Sequence, residues 1–376
     1  MFSRIYNELD QYLQARKVLI IYGPRQVGKT TLIEKYLSTT QYHYRFDSGE
    51  DLRVQQALSS LDFEQIRKYA QGYDLLVIDE AQTIPQIGQA LKILVDQFPT
   101  LRVIVSGSSS FELGQSVGEP LTGRKKTLVL YPIAQLELLK QYNQFDLHAR
   151  IEEFLLYGQY PEILKAESRD EKISRLLELS NAYLLQDILS LERIKGAKPL
   201  LDLLKLLAFQ VGQLVSHNEL AQQCQLDVKT VGRYLDLLEK SFVIFRLGGF
   251  SRNLRKEVVS KNKYYFVDVG IRNAVITQFN SLDDRNDVGS LWENFIVMER
   301  VKRGAYQNFY GNRYFWRTYE QKEIDYIEEY DNKLFAYEIK WSGNKSYEKI
   351  KRAWQSVYPK ASFSLIDKNN YFEFIS

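Results

Sequence analysis

The sequence has a single cysteine, Cys224, among its 376 residues. No disulfide can close within such a chain, and no cysteine-rich zinc site can form in it. Histidine is almost as scarce. His43, His148 and His217 are widely scattered, which argues against a histidine-based metal cluster. Proline is limited to eight residues, so regular secondary structure is expected through most of the chain. An excess of one charge is also missing, since 50 Lys+Arg oppose 47 Asp+Glu. A molecule so balanced cannot bind nucleic acid through its overall field, so a basic surface has to be local. No apolar run approaches the ~20 residues that span a bilayer. The opening MFSRIYNELDQYL breaks each apolar run with a charge, unlike a signal peptide. These absences make a cytoplasmic protein with no membrane partner the expectation.

What is present is an ordinary globular mixture, 45% hydrophobic and 26% charged. The length suggests two or three domains at about 150 residues each. The first third alternates short apolar runs with helical spacing. Lys17–Tyr22, Leu75–Ile78, Leu101–Ser106 and Leu128–Tyr131 read as buried strands, with helices at Thr30–Leu37, Phe63–Tyr69 and Gln86–Gln97. That pattern predicts a parallel sheet covered on both faces. From about residue 133 to 208 apolar residues recur at three and four, which predicts helices. Strand-like runs return at Tyr264–Val267, Tyr314–Trp316, Ile324–Ile327, Phe335–Ile339 and Ser362–Ile366, with a helix over Ser290–Val301.

Gly23-Pro24-Arg25-Gln26-Val27-Gly28-Lys29-Thr30 fits the phosphate-loop pattern G-x-x-x-x-G-K-[ST], and Thr31 follows in the helix. Glycine at both ends lets the backbone wrap a phosphate, and the amides and the helix N-terminus then face the anion. Lys29 would place a cation on the β- and γ-phosphates, and Thr30 would ligate Mg²⁺. The run Leu75–Glu80 ends in two carboxylates at the C-terminal end of a strand, where parallel sheets bind ligands. Asp79 is expected to hold Mg²⁺ and Glu80 to polarise the attacking water. Ser106 or Ser108, after the third strand, is expected near the γ-phosphate or the lytic water. Arg124 is a candidate for supplying positive charge to the transition state, in its own site or a neighbour's, the latter implying a homo-oligomer. ATP and Mg²⁺ are the expected ligands.

GPRQVGKTTL, LLVIDEAQ, VSGSSS, LTGR and Tyr157-Gly-Gln-Tyr-Pro-Glu162, in this order and spacing, resemble the prokaryotic AAA+ ATPases fused to a C-terminal domain of unknown function. One departure is Gln159, where relatives often carry glycine. The resemblance implies an AAA+-type nucleotide fold, a winged-helix-like segment and a C-terminal nuclease-like fold.

Ser216 to Leu238 resembles a helix-turn-helix. Ser216 and Glu219 form a candidate capping box, Leu226 plugs the turn and Asp227 caps the second helix. Phe242–Leu247 reads as the first strand of a wing. The outer face offers Lys229, Thr230 and Arg233. Between Lys229 and Lys263 nine basic residues face three acidic ones, a local +6 that makes DNA a candidate partner.

In the last third, Glu293 lies on a predicted helix, Asp325 at the start of a strand, and Glu338 and Lys340 on one face of the next strand. This order resembles the PD-(D/E)xK nuclease fold. The resemblance implies a divalent metal held by Glu293, Asp325 and Glu338, with Lys340 orienting a water. The expected architecture is therefore α/β, with a P-loop AAA+ domain over 1–135, a helical domain over 136–210, a winged-helix-like segment over 211–263 and an α+β restriction-endonuclease-like domain over 264–376. Two functions fit it. One is an ATP-hydrolysing protein acting with nucleic acid. The other is an ATP-dependent switch that binds a protein partner and carries a catalytically silent nuclease-like domain. A nucleotide scaffold without turnover is disfavoured, because a pure binder does not need Glu80 beside Asp79.

Overall fold

The computed structural model describes residues 2–108, 121–181, 197–252, 261–342 and 347–376. Two compact units result. Residues 3–132, with residues 240–242, form the first, and residues 133–239 and 243–376 form the second.

The first unit is a five-stranded sheet flanked by helices. Its elements are β1 (Val18–Tyr22), α1 (Lys29–Leu37), β2 (Tyr44–Ser48), α2 (Leu52–Ser59), α3 (Phe63–Ala70), β3 (Leu75–Asp79), α4 (Ile87–Gln97), β4 (Arg102–Gly107) and β5 (Lys125–Val129). The order across the sheet is β2-β3-β4-β1-β5, with every neighbouring pair parallel. The central strands β1, β3 and β4 are apolar on both faces because helices cover both. In α4, Ile87, Ala90, Leu91, Leu94 and Val95 recur at three and four and are buried with Ile66, Val103 and Val105. The α/β reading holds in this unit. Edge strand β2 was not expected, since YRFDS alternates exposed and half-buried positions and contains no apolar run. Edge strand β5 starts three residues before the predicted one, because its first two residues are exposed or half-buried lysines.

The second unit begins with short helices α5 (Gln135–Leu138), α6 (Gln144–Ala149), α7 (Ile151–Tyr157) and α8 (Pro161–Lys165), followed by α9 (Arg169–Asn181) and α10 (Ala197–Phe209). Next come β6 (Leu214–Val215), α11 (His217–Cys224), α12 (Val228–Lys240), β7 (Ile244–Gly249) and β8 (Asn262–Phe266). The Ser216 hydroxyl accepts from the Glu219 amide, and Asp227 accepts from the Thr230 amide at 2.8 Å, so both expected helix starts are capped as the sequence suggests. The remaining elements are α13 (Val269–Val275), α14 (Val288–Tyr306), β9 (Asn312–Arg317), β10 (Glu323–Tyr330), β11 (Lys333–Ile339), α15 (Tyr347–Val357), β12 (Ser362–Ile366) and α16 (Tyr371–Ile375).

One sheet runs through this unit in the order β12-β11-β10-β9-β7-β8-β6. β9, β10 and β11 form an antiparallel meander, and β12 returns parallel to β11 after α15. Strands β7 and β8, in the segment expected to be winged-helix-like, continue the same sheet, because β7 pairs in parallel with β9 at Gly248↔Tyr314 and Gly249↔Phe315. The expected boundary at 263/264 therefore runs through β8, whose residues pair with β6 and β7. Phe250, just past β7, packs into the apolar cluster of Trp316, Ile324, Ile327 and Trp354. β7 and the residue after it thus share both backbone pairing and a core with the C-terminal strands.

Candidate functional site

Strand β1 delivers the glycine loop at its C-terminal end, and α1 leaves from it. A Cβ at Gly23 would run into the Leu130 carbonyl, a backbone atom that cannot yield. Gly28 takes the left-handed conformation (φ 93°) as the N-cap of α1, which a side chain would disfavour. Pro24 and Val27 are buried and anchor the loop, whereas Arg25, Gln26 and Thr31 are exposed along it. The buried Lys29 ammonium donates to the carbonyls of Gly23 (2.9 Å) and Pro24 (2.8 Å), inside the curve of the loop. Arg4, buried, donates to the carbonyls of Val27 (3.3 Å) and Tyr131 (2.6 Å) and braces the loop from behind. Nothing in its local sequence marks Arg4 for this task.

Strand β3 places Asp79 opposite the loop. Thr30 Oγ1 donates to Asp79 Oδ2 at 2.6 Å, so the two expected Mg²⁺ ligands meet. Asp79 Oδ1 accepts from the Glu80 amide at 3.1 Å and from the Ser106 hydroxyl. Ser106 is fully buried and its hydroxyl is committed to Asp79. Of the two serines expected near the γ-phosphate or the lytic water, Ser106 thus lies against the carboxylate expected to hold Mg²⁺. Glu80 sits in the left-handed region (φ 48°), which turns its side chain out of the strand direction. The Gln82 amide donates to Glu80 Oε2 and to the Ser108 hydroxyl at 3.2 Å. Gln82 and Ser108 therefore steady the carboxylate expected to act on water. Gly49 closes the same corner. Its amide donates to the Asp79 carbonyl at 2.7 Å, and a Cβ there would meet the side chain of Thr83.

Arg124 does not join this constellation. Its carbonyl accepts from the Val18 amide at 2.8 Å, which fixes it at the N-terminal edge of the sheet. The glycine loop leaves the opposite edge, after Tyr22. Its guanidinium pairs with Asp96 at 2.6 Å on a surface where it is 40% exposed. The expectation that Arg124 serves its own site is corrected by this placement. Residues 109 and 110, and the LTGR segment's approach from residues 111–120, lie outside the described residues.

The second unit brings Glu293, Asp325, Glu338 and Lys340 together, as the strand–helix order suggests. It also brings in residues the sequence did not mark. Lys263 Nζ, on β8, lies 2.6 Å from Glu323 Oε1, 3.1 Å from Glu293 Oε1 and 3.6 Å from Asp325 Oδ1, and its side chain is 0% exposed. Burial opposes its charge, but Glu293, Tyr265, Asp325 and Glu323 outweigh that and hold its pKa well above the ordinary lysine value. Lys340 Nζ lies 2.7 Å from Glu338 Oε1 and 3.5 Å from Asp325 Oδ2. The Tyr265 hydroxyl donates to Glu293 Oε1 at 2.7 Å, and the Ile339 amide to Asp325 Oδ2 at 2.9 Å. Burial and the neighbouring Asp325 push Glu293 up to about 7 and Glu338 up to about 8. Among the described residues no group of His, Cys, Asp and Glu side chains is arranged to hold a metal ion. The carboxylates converge, yet on lysine ammoniums. The donor set as it stands does not fit the divalent metal that the nuclease resemblance implies.

The basic stretch from Lys229 to Lys263 is also not the free patch that its count suggests. Lys263 is buried, Arg246 pairs with Glu239 (3.2 Å) and Asp236 (3.8 Å), and Arg252 pairs with Glu329 (2.9 Å). Lys229 and Arg233 are exposed on α12, while the Thr230 hydroxyl is committed to Asp227 at 2.6 Å. Arg255 and Lys256 lie outside the described residues.

Comparison with known proteins divides the chain in three. Residues 15–139 match the family model of an AAA domain. Residues 148–282 and 288–374 match two domains of unknown function (DUF8612 and DUF4143). An uncharacterized protein of Mycobacterium tuberculosis is 26% identical over 359 residues, covering 92% of this chain and 75% of that protein. An uncharacterized protein of Methanocaldococcus jannaschii is 23% identical over 374 residues, covering 92% of this chain and 81% of that protein. The crystal structure of a signal transduction ATPase with a tetratricopeptide repeat sensor, from Pyrococcus horikoshii, aligns at a TM-score of 0.31 and 13% identity, over 80% of this chain and 45% of that one. That superposition is too loose to define a shared fold. No helix among the described residues is long and apolar enough to cross a membrane. The first unit is thus a parallel-sheet P-loop domain of AAA type, followed by helical and strand-rich regions.

Proposed function

We propose, from the AAA domain at residues 15–139, that the chain binds ATP with Mg²⁺ and hydrolyses it. The observation that carries this reading is the meeting of Thr30 and Asp79 at 2.6 Å beside a glycine loop that encloses the Lys29 ammonium. The residues fit the ligand. A hydroxyl and a carboxylate are the hard oxygen donors that Mg²⁺ takes, and the loop leaves no room for a Cβ at Gly23. Bound Mg²⁺ neutralises charge on the β- and γ-phosphates.

The rest is done by the protein. The loop amides from Arg25 to Gly28 and the N-terminus of α1 receive the phosphates. Lys29 exchanges the carbonyls of Gly23 and Pro24 for phosphate oxygens. Ser106 and the Glu80 amide fix the direction of Asp79. Glu80 takes a proton from the attacking water, whose oxygen bonds to the γ-phosphorus as the bond to the bridging oxygen breaks and ADP departs. An amide in place of Glu80 cannot take that proton. Glu80→Gln should therefore bind a fluorescent ATP analogue like the parent while releasing phosphate about 10²-fold or more slowly. Loss of nucleotide affinity in that variant would make Glu80 structural instead.

For the second unit, the ion pairing favours the protein-partner reading over the nucleic-acid one. Arg246, Arg252 and Lys263 are already paired with acids of the chain, which takes three of the nine basic residues of this stretch out of a phosphate footprint. Arg124 keeps a role in turnover only across subunits of a homo-oligomer, where its sheet edge would meet a neighbour's loop.

A further inference from the structure

Four carboxylates surround the centre of the second unit's sheet: Glu293 from α14, Glu323 and Asp325 from β10, and Glu338 from β11. Such a group would not stay ionised together without cations. The cations present are part of the chain. Lys263 reaches Glu323, Glu293 and Asp325 at once, Lys340 reaches Glu338 and Asp325, and Arg317 pairs with Glu323 at 2.7 Å. Access is restricted as well. Gly212 closes over Glu293 so tightly that a Cβ there would lie 3.0 Å from Glu293 Oε1. Glu338 Oε2, buried, accepts no hydrogen bond among the described residues. The other oxygen of the same carboxylate is held by Lys340 at 2.7 Å.

We infer that Lys263 is a built-in counter-cation that excludes a divalent metal from Glu293, Asp325 and Glu338, and that removing its charge opens a latent divalent-cation site there. The ammonium is fully buried and held by Glu293 and Asp325, two of the three carboxylates that a metal would need, and by Glu323. It also ties β8, α14 and β10 together, so it locks the wing strands to the helix and hairpin that carry the acids. A second cation entering beside it would be repelled and would have to displace its contacts. With Lys263 neutral, Glu293 and Asp325 lose the cation that holds them, and Glu338, paired with Lys340 beside Asp325, adds an oxygen without a hydrogen-bond partner, so that a hard cation can replace the ammonium. This inference is independent of the nucleotide reading, since no part of it involves the first unit.

The test uses the full chain without nucleotide and Mn²⁺ alone as the probe, followed by electron paramagnetic resonance titration and thermal melting. Mn²⁺ at Thr30 and Asp79 is unaffected by Asp325→Asn, so the difference between each protein and its Asp325→Asn counterpart isolates the cluster. In the parent, Asp325→Asn should remove no Mn²⁺ site, and Mn²⁺ should raise the melting temperature of both equally. Lys263→Gln, and Lys263→Met as a second variant, should melt below the parent. Each should gain one Mn²⁺ site and about 3 °C or more with millimolar Mn²⁺, a gain that Asp325→Asn abolishes. If either variant is unfolded alone, recovery of a cooperative melt with Mn²⁺ supports the inference. An Asp325-dependent Mn²⁺ site in the parent overturns it. So does the absence of any Mn²⁺ gain in both Lys263 variants.

Discussion

At the residue scale, the nucleotide loop and its acid partner were legible because each position has a chemical reason to be one residue type. Glycine at 23 is required by the Leu130 carbonyl, and Thr30 and Asp79 are required as a pair. The role of Ser106 was not legible. A serine at the end of a strand can face the ligand or the core, and only the fold shows that it turns inward to Asp79. This gives a distinguishing prediction. Ser106→Ala removes one hydrogen bond of about 1 kcal/mol from Asp79. The Mg²⁺ concentration for half-maximal ATP turnover should rise about five-fold, with turnover at saturating Mg²⁺ little changed. A lower saturating rate with an unchanged Mg²⁺ requirement would place the hydroxyl on the reacting phosphate instead. Lys263 escaped notice for the same reason as Ser106. In a strand read as Tyr264–Val267 it looked like one more basic residue of a wing, and its burial depends on acids 30 and 60 residues away.

At the scale of elements, helices with strong three-four spacing and apolar strands were found close to their observed places, while the edge strands of the first unit were not. β2 and β5 are half-exposed and carry no continuous apolar run, so hydrophobicity alone cannot locate them. The junction before α14 depends on a polar network that no periodicity reveals. Asp287 accepts from Arg272 at 2.6 Å and from Arg285 at 2.8 Å, and Arg272 also donates to the Ala208 carbonyl at 2.8 Å. Both guanidinium side chains are nearly or fully buried. Burial raises the pKa of Asp287, but the two arginines outweigh it and hold it below the ordinary aspartate value. A depressed native pKa means the pair stabilises the fold above the ordinary aspartate range and loses that contribution below it, as pH falls through the depressed native value. Asp287→Asn should therefore cost about 3 kcal/mol in urea unfolding at pH 7, and the gap from the parent should shrink below about pH 4. A gap that is the same at both pH values would remove the ion pairs from the explanation.

At the scale of the whole molecule, composition was informative mainly through what it excluded. Near-neutrality argues against a global basic field. The local count of nine basic residues was misleading, because a count cannot see that Arg246, Arg252 and Lys263 find acids within the fold. Domain order was legible, whereas the continuity of the wing with the C-terminal sheet was not, since pairing between β7 and β9 joins residues more than sixty apart. If Arg246, Arg252 and Lys263 are paired as the fold places them, at most six of the nine basic residues remain for phosphate contacts. A plot of log affinity against log salt for a short duplex should then have a slope no steeper than about −5, with or without ATP. A slope near −8 would mean that the whole stretch faces the backbone. The central claim, however, is the ATPase, and steady-state phosphate release with Mg²⁺, comparing the parent with Lys29→Ala, tests it most directly. The account predicts turnover in the parent and its loss to background in the variant, because the only ammonium inside the loop's curve among the described residues is gone. Equal turnover in the two proteins would contradict it.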